Sequence, residues 1–93
     1  MNIRQIKLEL TVDLMNLPAS KDPVQFVKEH MDRFHTETGG FEGVVETHTS
    51  PISDHLISRT LAFQFEKCTL NLDLVTDQAK NEDFLQNFNL FTN

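Results

Sequence analysis

Ninety-three residues, 39% of them hydrophobic, fit one small domain with a core of modest size. The formal charge of −6 is uneven: residues 1–40 hold six acids against five bases, residues 41–93 eight against three. That balance disfavours direct binding to a phosphate backbone, which needs clusters of Lys and Arg.

The single cysteine, Cys68, excludes an internal disulfide and suits a reducing compartment. The N-terminal MNIRQIKLEL lacks the continuous apolar core of a signal peptide, and no apolar run approaches the length of a membrane span. A cytoplasmic protein without membrane or direct nucleic-acid contacts is expected. Eight phenylalanines stand beside no Trp or Tyr.

In chain order, residues 2–14 alternate. Ile6, Leu8, Leu10, Val12 and Leu14 are apolar, and Gln5, Lys7, Glu9, Thr11 and Asp13 polar, which predicts a half-buried strand. A connector over residues 15–21 is broken by Pro18. Asp22-Pro23-Val24-Gln25 has the composition of a helix start: Asp as N-cap, Pro in the first turn, Gln where a capping box places it. The stripe Val24, Val27, Met31 and Phe34, with Phe26 and His30 on its flank, predicts a helix over 23–37, stopped by Gly39-Gly40.

Residues 43–50 form a weaker third strand at an edge, and 51–55 a loop. The stretch 56–75 then shows an inversion of parity. Ile57, Leu61, Phe63 and Phe65 are apolar at odd positions, and Leu70, Leu72 and Leu74 at even ones. A reversal around residues 66–69 puts both sets on one face, with Phe65 against Leu70, Phe63 against Leu72 and Leu61 against Leu74. A polar link after Asp77 leads to an amphipathic helix over 81–93, capped by Asn81, with Phe84, Leu85, Phe88 and Phe91 on one side. The resulting expectation is a single α+β domain in the order β-α-β-β-β-α, its four-stranded, mostly antiparallel sheet covered by one helix.

Chemistry-bearing residues do not form a constellation. His30 and His35 lie five apart and diverge on a helix, and helical zinc sites use the i, i+4 spacing instead. His48 and His55 flank a loop containing Asp54, the one arrangement that could gather two histidines and an acid. Cys68 falls at a hairpin tip as an exposed bystander thiol. No catalytic residue, metal or cofactor is expected.

The element order is similar to that of several small α+β families, ribosome-hibernation proteins among them, although an acidic second half departs from what a ribosome binder needs. Asn87-Phe88-Asn89-Leu90-Phe91 resembles the short Q-L-(S/D)-L-F peptide through which bacterial replication proteins dock into the sliding clamp. Leu90 and Phe91 match its apolar anchors. The resemblance implies a docking tail of Phe84, Phe88, Leu90 and Phe91. The leading expectation is a small acidic protein-binding module of the kind encoded by phages and mobile elements to inhibit host machinery. Glu42, Glu46, Asp54, Glu66, Asp73 and Asp77 would then meet a basic surface of an unidentified protein partner. The alternatives are clamp docking through the tail, or a small homodimeric ligand-binding or enzymatic protein.

Overall fold

A computed structural model describes residues 3–18 and 22–93; Met1, Asn2 and, within the expected connector, Ala19, Ser20 and Lys21 lie outside the described residues. Three helices precede four strands: α1 (Ile3–Met15), α2 (Pro23–Asp32), α3 (His35–Thr38), then β1 (Phe41–Pro51), β2 (Leu56–Phe65), β3 (Cys68–Asp77) and β4 (Glu82–Thr92). The strands form one antiparallel meander in the order β1-β2-β3-β4. The α+β class and the four-stranded antiparallel sheet are as expected, but two elements have the other identity.

Residues 2–14 were expected as a strand, and α1 is a helix. Its even-numbered apolar residues serve two opposite sides of that helix. Ile6 and Leu10, one turn apart, are wholly buried, with Ile3 and Leu14 packed beside them. Leu8, Val12 and Met15, also at helical spacing, face outward at 59%, 55% and 81% exposure. A helix apolar on both sides mimics strand alternation, because 3.6-residue and 2-residue periods coincide over short stretches. With no strand there, the expected β-α-β start of the chain does not form.

The helix expected over 23–37 starts as predicted. Asp22 is extended, and its Oδ1 accepts the Val24 N–H at 2.9 Å. Gln25 turns to Glu29 instead of back to the cap, at 3.3 Å. The helix breaks at Arg33 and Phe34, whose N–H groups bond three residues back to His30 and Met31, and restarts as α3. Gly39 ends α3 at φ 79°, where a Cβ would lie 2.6 Å from Glu66 Cβ. Only glycine suits that position.

The hairpin of β2 and β3 has the expected faces in a register two residues tighter. Phe63 opposes Leu70, Leu61 opposes Leu72, and Arg59 opposes Leu74. A two-residue slip preserves side-chain parity, so the pattern of faces could not distinguish the two pairings. The Glu66-Lys67 tip is tied down on both sides. Glu66 N–H donates to Gly40 O at 3.1 Å, Lys67 N–H to Thr38 O at 2.9 Å, and Asn93 N–H to Lys67 O at 3.1 Å.

Residues 81–93 were expected as a helix and form strand β4. Asn81 caps nothing; it sits at φ 56° closing the loop from β3, a left-handed position that Asn tolerates. In the same loop Asp77 Oδ1 accepts the Ala79 and Lys80 N–H groups at 3.0 and 3.2 Å. Tertiary pairing overrides helical spacing here. Leu70 opposes Leu90, Leu72 opposes Phe88 and Leu74 opposes Leu85, completing the sheet's apolar face.

That face packs on α1 and α2, and the core is Ile6, Leu10, Val27 and Met31 against Leu61, Phe63, Phe65, Leu70, Leu72, Leu74 and Leu90. Beyond the helices the same face becomes a polar row across all four strands. Arg59 Nε donates to Glu46 Oε1 at 2.5 Å, and Thr76 Oγ1 donates to Asp83 Oδ1 at 2.6 Å beside it. The opposite face of the sheet has no helix over it among the described residues.

Candidate partner-binding cleft

The helices lie over β4 and the middle of the sheet, leaving β1 uncovered on the same side. Phe41 is therefore half exposed and Val44 over a third exposed, although both point to the helix-bearing face. Phe41 tilts against Phe65 and Phe63, with ring centroids 5.4 and 6.5 Å apart. Between this aromatic group and the α2–α3 corner runs a cleft of about 290 Å³, with Met31, Phe41 and Phe65 on its floor. Gln25, Lys28, Glu29, Asp32 and His35 form its polar rim. Its volume lies at the small end for ligand pockets, suited to one or two side chains.

Acids cluster around it. Glu29 and Asp32 come from α2; Glu42 stands in a β1 bulge beside Phe41; Glu66 reaches across so that its Oε1 accepts the Gly40 N–H at 2.8 Å. Of the six acids expected to form one face, only Glu42 and Glu66 are at this end of the sheet. Glu46 is ion-paired to Arg59, which holds its carboxyl below the usual range through hydrogen bonds from Arg59 and Thr49. Asp73 is on the open face, accepting from Thr60 Oγ1 at 2.8 Å. Asp77 is buried at the end of β3 and Asp54 lies in the loop between β1 and β2. Sequence proximity could not show this, since antiparallel strands send neighbouring acids to opposite faces and ends.

The tail residues also separate. Leu90 is fully buried, Phe88 packs against the core, and Phe84 and Phe91 point to the open face at 46% and 40% exposure. As a ladder strand, the pentapeptide presents its two anchors to opposite sides. Clamp docking through it would require β4 to leave the sheet.

His35, His48 and His55 are exposed, as surface histidines are expected to be, whereas His30 and Cys68 differ from expectation in place. His30, read as a flanking residue, is 4% exposed between Phe26 and Phe34, with ring centroids 6.4 and 5.4 Å away. Its Nδ1 lies 2.7 Å from Asp13 Oδ2 and 2.6 Å from Arg33 Nη2, while Arg33 Nη2 donates to the same Asp13 oxygen at 2.8 Å. Its Nε2 is enclosed without a partner. Burial pushes the imidazole pKa down and the Arg33 charge adds to this; Asp13 opposes without overcoming it. The ring has one nitrogen committed and the other enclosed, and with Asp13 and Arg33 it lines an open groove of about 410 Å³. It fastens α1 to α2.

Cys68, expected at an exposed tip, is wholly buried, and burial raises its thiol pKa. His48 opposes Thr60 within β1, away from His55 and Asp54 in the loop. Among the described residues no three His, Cys, Asp or Glu side chains gather as a metal site, and no helix is long and apolar enough to cross a membrane. Compared with protein-family models, with curated proteins and with solved structures, the chain matches none.

Proposed function

We propose that the protein is a small protein-binding module whose working surface is the cleft between α2–α3 and β1. The observation that carries this reading is the half-exposed Phe41, held by Phe63 and Phe65 at the mouth of an apolar cleft whose polar rim carries Glu29 and Asp32 beside Lys28. Apolar floors inside charged rims are the usual anatomy of interaction hot spots. The partner that fits is a protein segment offering an apolar side chain flanked by Lys or Arg. An inhibitor occupying a basic surface of a host protein is the narrower form of the same reading. Its acidic contacts are then Glu29, Asp32, Glu42 and Glu66 in place of the six-residue set.

The test is affinity capture from bacterial lysate with the wild type, Phe41→Ala, Asp32→Lys and, as an open-face control, Phe84→Ala. One partner is expected, retained by the control and released by salt. Phe41→Ala should weaken it by about thirtyfold, the typical loss of a hot-spot aromatic. Asp32→Lys should act mainly by slowing association. If the wild type retains nothing, or all four proteins retain the same set equally, the cleft is not the binding surface. Truncation after Lys80 is unsuitable here, because it deletes β4 and exposes the core-lining Leu70, Leu72 and Leu74.

A further inference from the structure

The two edges of the sheet are built differently. β1 is irregular: its register with β2 shifts twice, at Phe41/Gly43 and at Glu46/His48, and it ends in Pro51. Bulges and proline are the ordinary devices that stop an edge from pairing with another chain. β4 has one bulge, at Gln86, against two in β1, and neither proline nor lysine along its eleven residues; its acids, Glu82 and Asp83, stand together at one end. Its outer edge is unpaired among the described residues. In an antiparallel strand, alternate residues turn N–H and C=O outward, so this edge offers a row of open hydrogen-bonding groups.

The residues on that edge are self-complementary. The register with β3 steps from Asn87 to Leu85, leaving Gln86 as a bulge. Without Gln86, the laddered residues Phe84, Leu85, Asn87, Phe88, Asn89, Leu90 and Phe91 read the same in both directions, centred on Phe88. Antiparallel pairing with an identical strand sets Phe84 against Phe91, Leu85 against Leu90, Asn87 against Asn89, and Phe88 against its own copy.

The faces agree as well. Leu85, Phe88 and Leu90 oppose the core leucines of β3 and share the helix-bearing face, while Phe84, Asn87, Asn89 and Phe91 share the open face. Charges avoid one another, since Glu82 and Asp83 fall opposite Asn93 and Thr92 of the copy. A groove of about 260 Å³ runs beside this edge, walled by Thr11, Leu14 and Met15 of α1 and by Leu85 and Phe88. It lies where the two-fold axis would pass, so the same pairing would cover the 81%-exposed Met15.

We propose that β4 pairs antiparallel with β4 of a second copy about a two-fold axis at Phe88, joining two four-stranded sheets into one of eight. The interface is isologous, as closed dimers require, and separate from the cleft.

The test places charge at Asn87 and Asn89, both exposed and outside the core. Asn87→Lys with Asn89→Lys puts like charges opposite each other twice. Asn87→Lys with Asn89→Glu puts opposite charges there. By sedimentation, the wild type is expected to be a dimer at micromolar concentration. The double-lysine variant should dissociate about tenfold more readily, and the lysine–glutamate variant should regain the loss. Thermal unfolding of each variant confirms that the monomer fold is intact. Hydrogen exchange should show outward β4 amides protected in the wild type and released in the double-lysine protein. A wild type that stays monomeric at about 100 μM overturns the proposal. So does a dimer indifferent to both variants, or one that the lysine–glutamate pair fails to restore.

Discussion

Leu90→Ala and Phe91→Ala, one residue apart, separate a sheet strand from a tail helix. In β4, Leu90 is wholly enclosed and opposes Leu70, whereas Phe91 is 40% exposed on the open face. Truncating a fully buried leucine costs about 2–5 kcal/mol, from lost transfer energy and the cavity left behind. Leu90 sits in an edge strand that is paired on one side only, so a value of about 3 kcal/mol is expected. For a domain of this size that lowers the melting temperature by roughly 12–24 °C. It removes a large part of the roughly 5–15 kcal/mol that holds small domains folded. Phe91→Ala should cost about 1–2 kcal/mol, since the ring is already 40% exposed and its loss leaves no enclosed cavity. Urea and thermal unfolding followed by circular dichroism, at the lowest practical protein concentration, measure both without a contribution from association. A tail helix with Phe84, Phe88 and Phe91 inward would invert the order. Equal or inverted losses would refute the strand and everything inferred from its edge.

Three further outcomes follow from the same packing. Because burial lowers the His30 pKa below its ordinary 6.5, the unfolded chain binds the proton more readily. Stability is complete above that pH and falls as pH drops from it through the lowered folded value. Urea unfolding from pH 7.5 to 5 should show a steeper loss for the wild type than for His30→Leu, and parallel slopes would exclude His30 as the cause. Gly39→Ala should destabilise by about 2 kcal/mol, because the new Cβ meets Glu66 Cβ at a left-handed backbone position; an unchanged melting temperature would contradict that packing. Cys68 should react with a thiol reagent at least about tenfold more slowly in the folded protein than in denaturant, and equal rates would mean the thiol is not enclosed.

Where one element has one buried face, the chain is legible. Asp22-Pro23 marks a helix start that forms, and the parity inversion across Glu66-Lys67 marks a hairpin that forms. Where the apolar pattern fits two periods it misleads. α1 reads as a strand because Ile6 and Leu10 face the core while Leu8 and Val12 face away. β4 reads as a helix because Phe84, Leu85, Phe88 and Phe91 recur at helical spacing, and the Gln86 bulge supplies the extra residue that disguises strand alternation. The cleft was hidden for a similar reason. Nothing local in Phe41 says that the helices will lie over β4 and leave β1 bare.

By itself, then, the sequence determined the α+β class, the α2 start, the hairpin and its oily face, because each depends on neighbours close along the chain. The tertiary structure alone decided the identity of both ends, the burial of His30 and Cys68, the dispersal of the acids and the exposure of Phe41. Those depend on which surfaces meet, and a residue's free energy of burial is set by contacts far away in sequence.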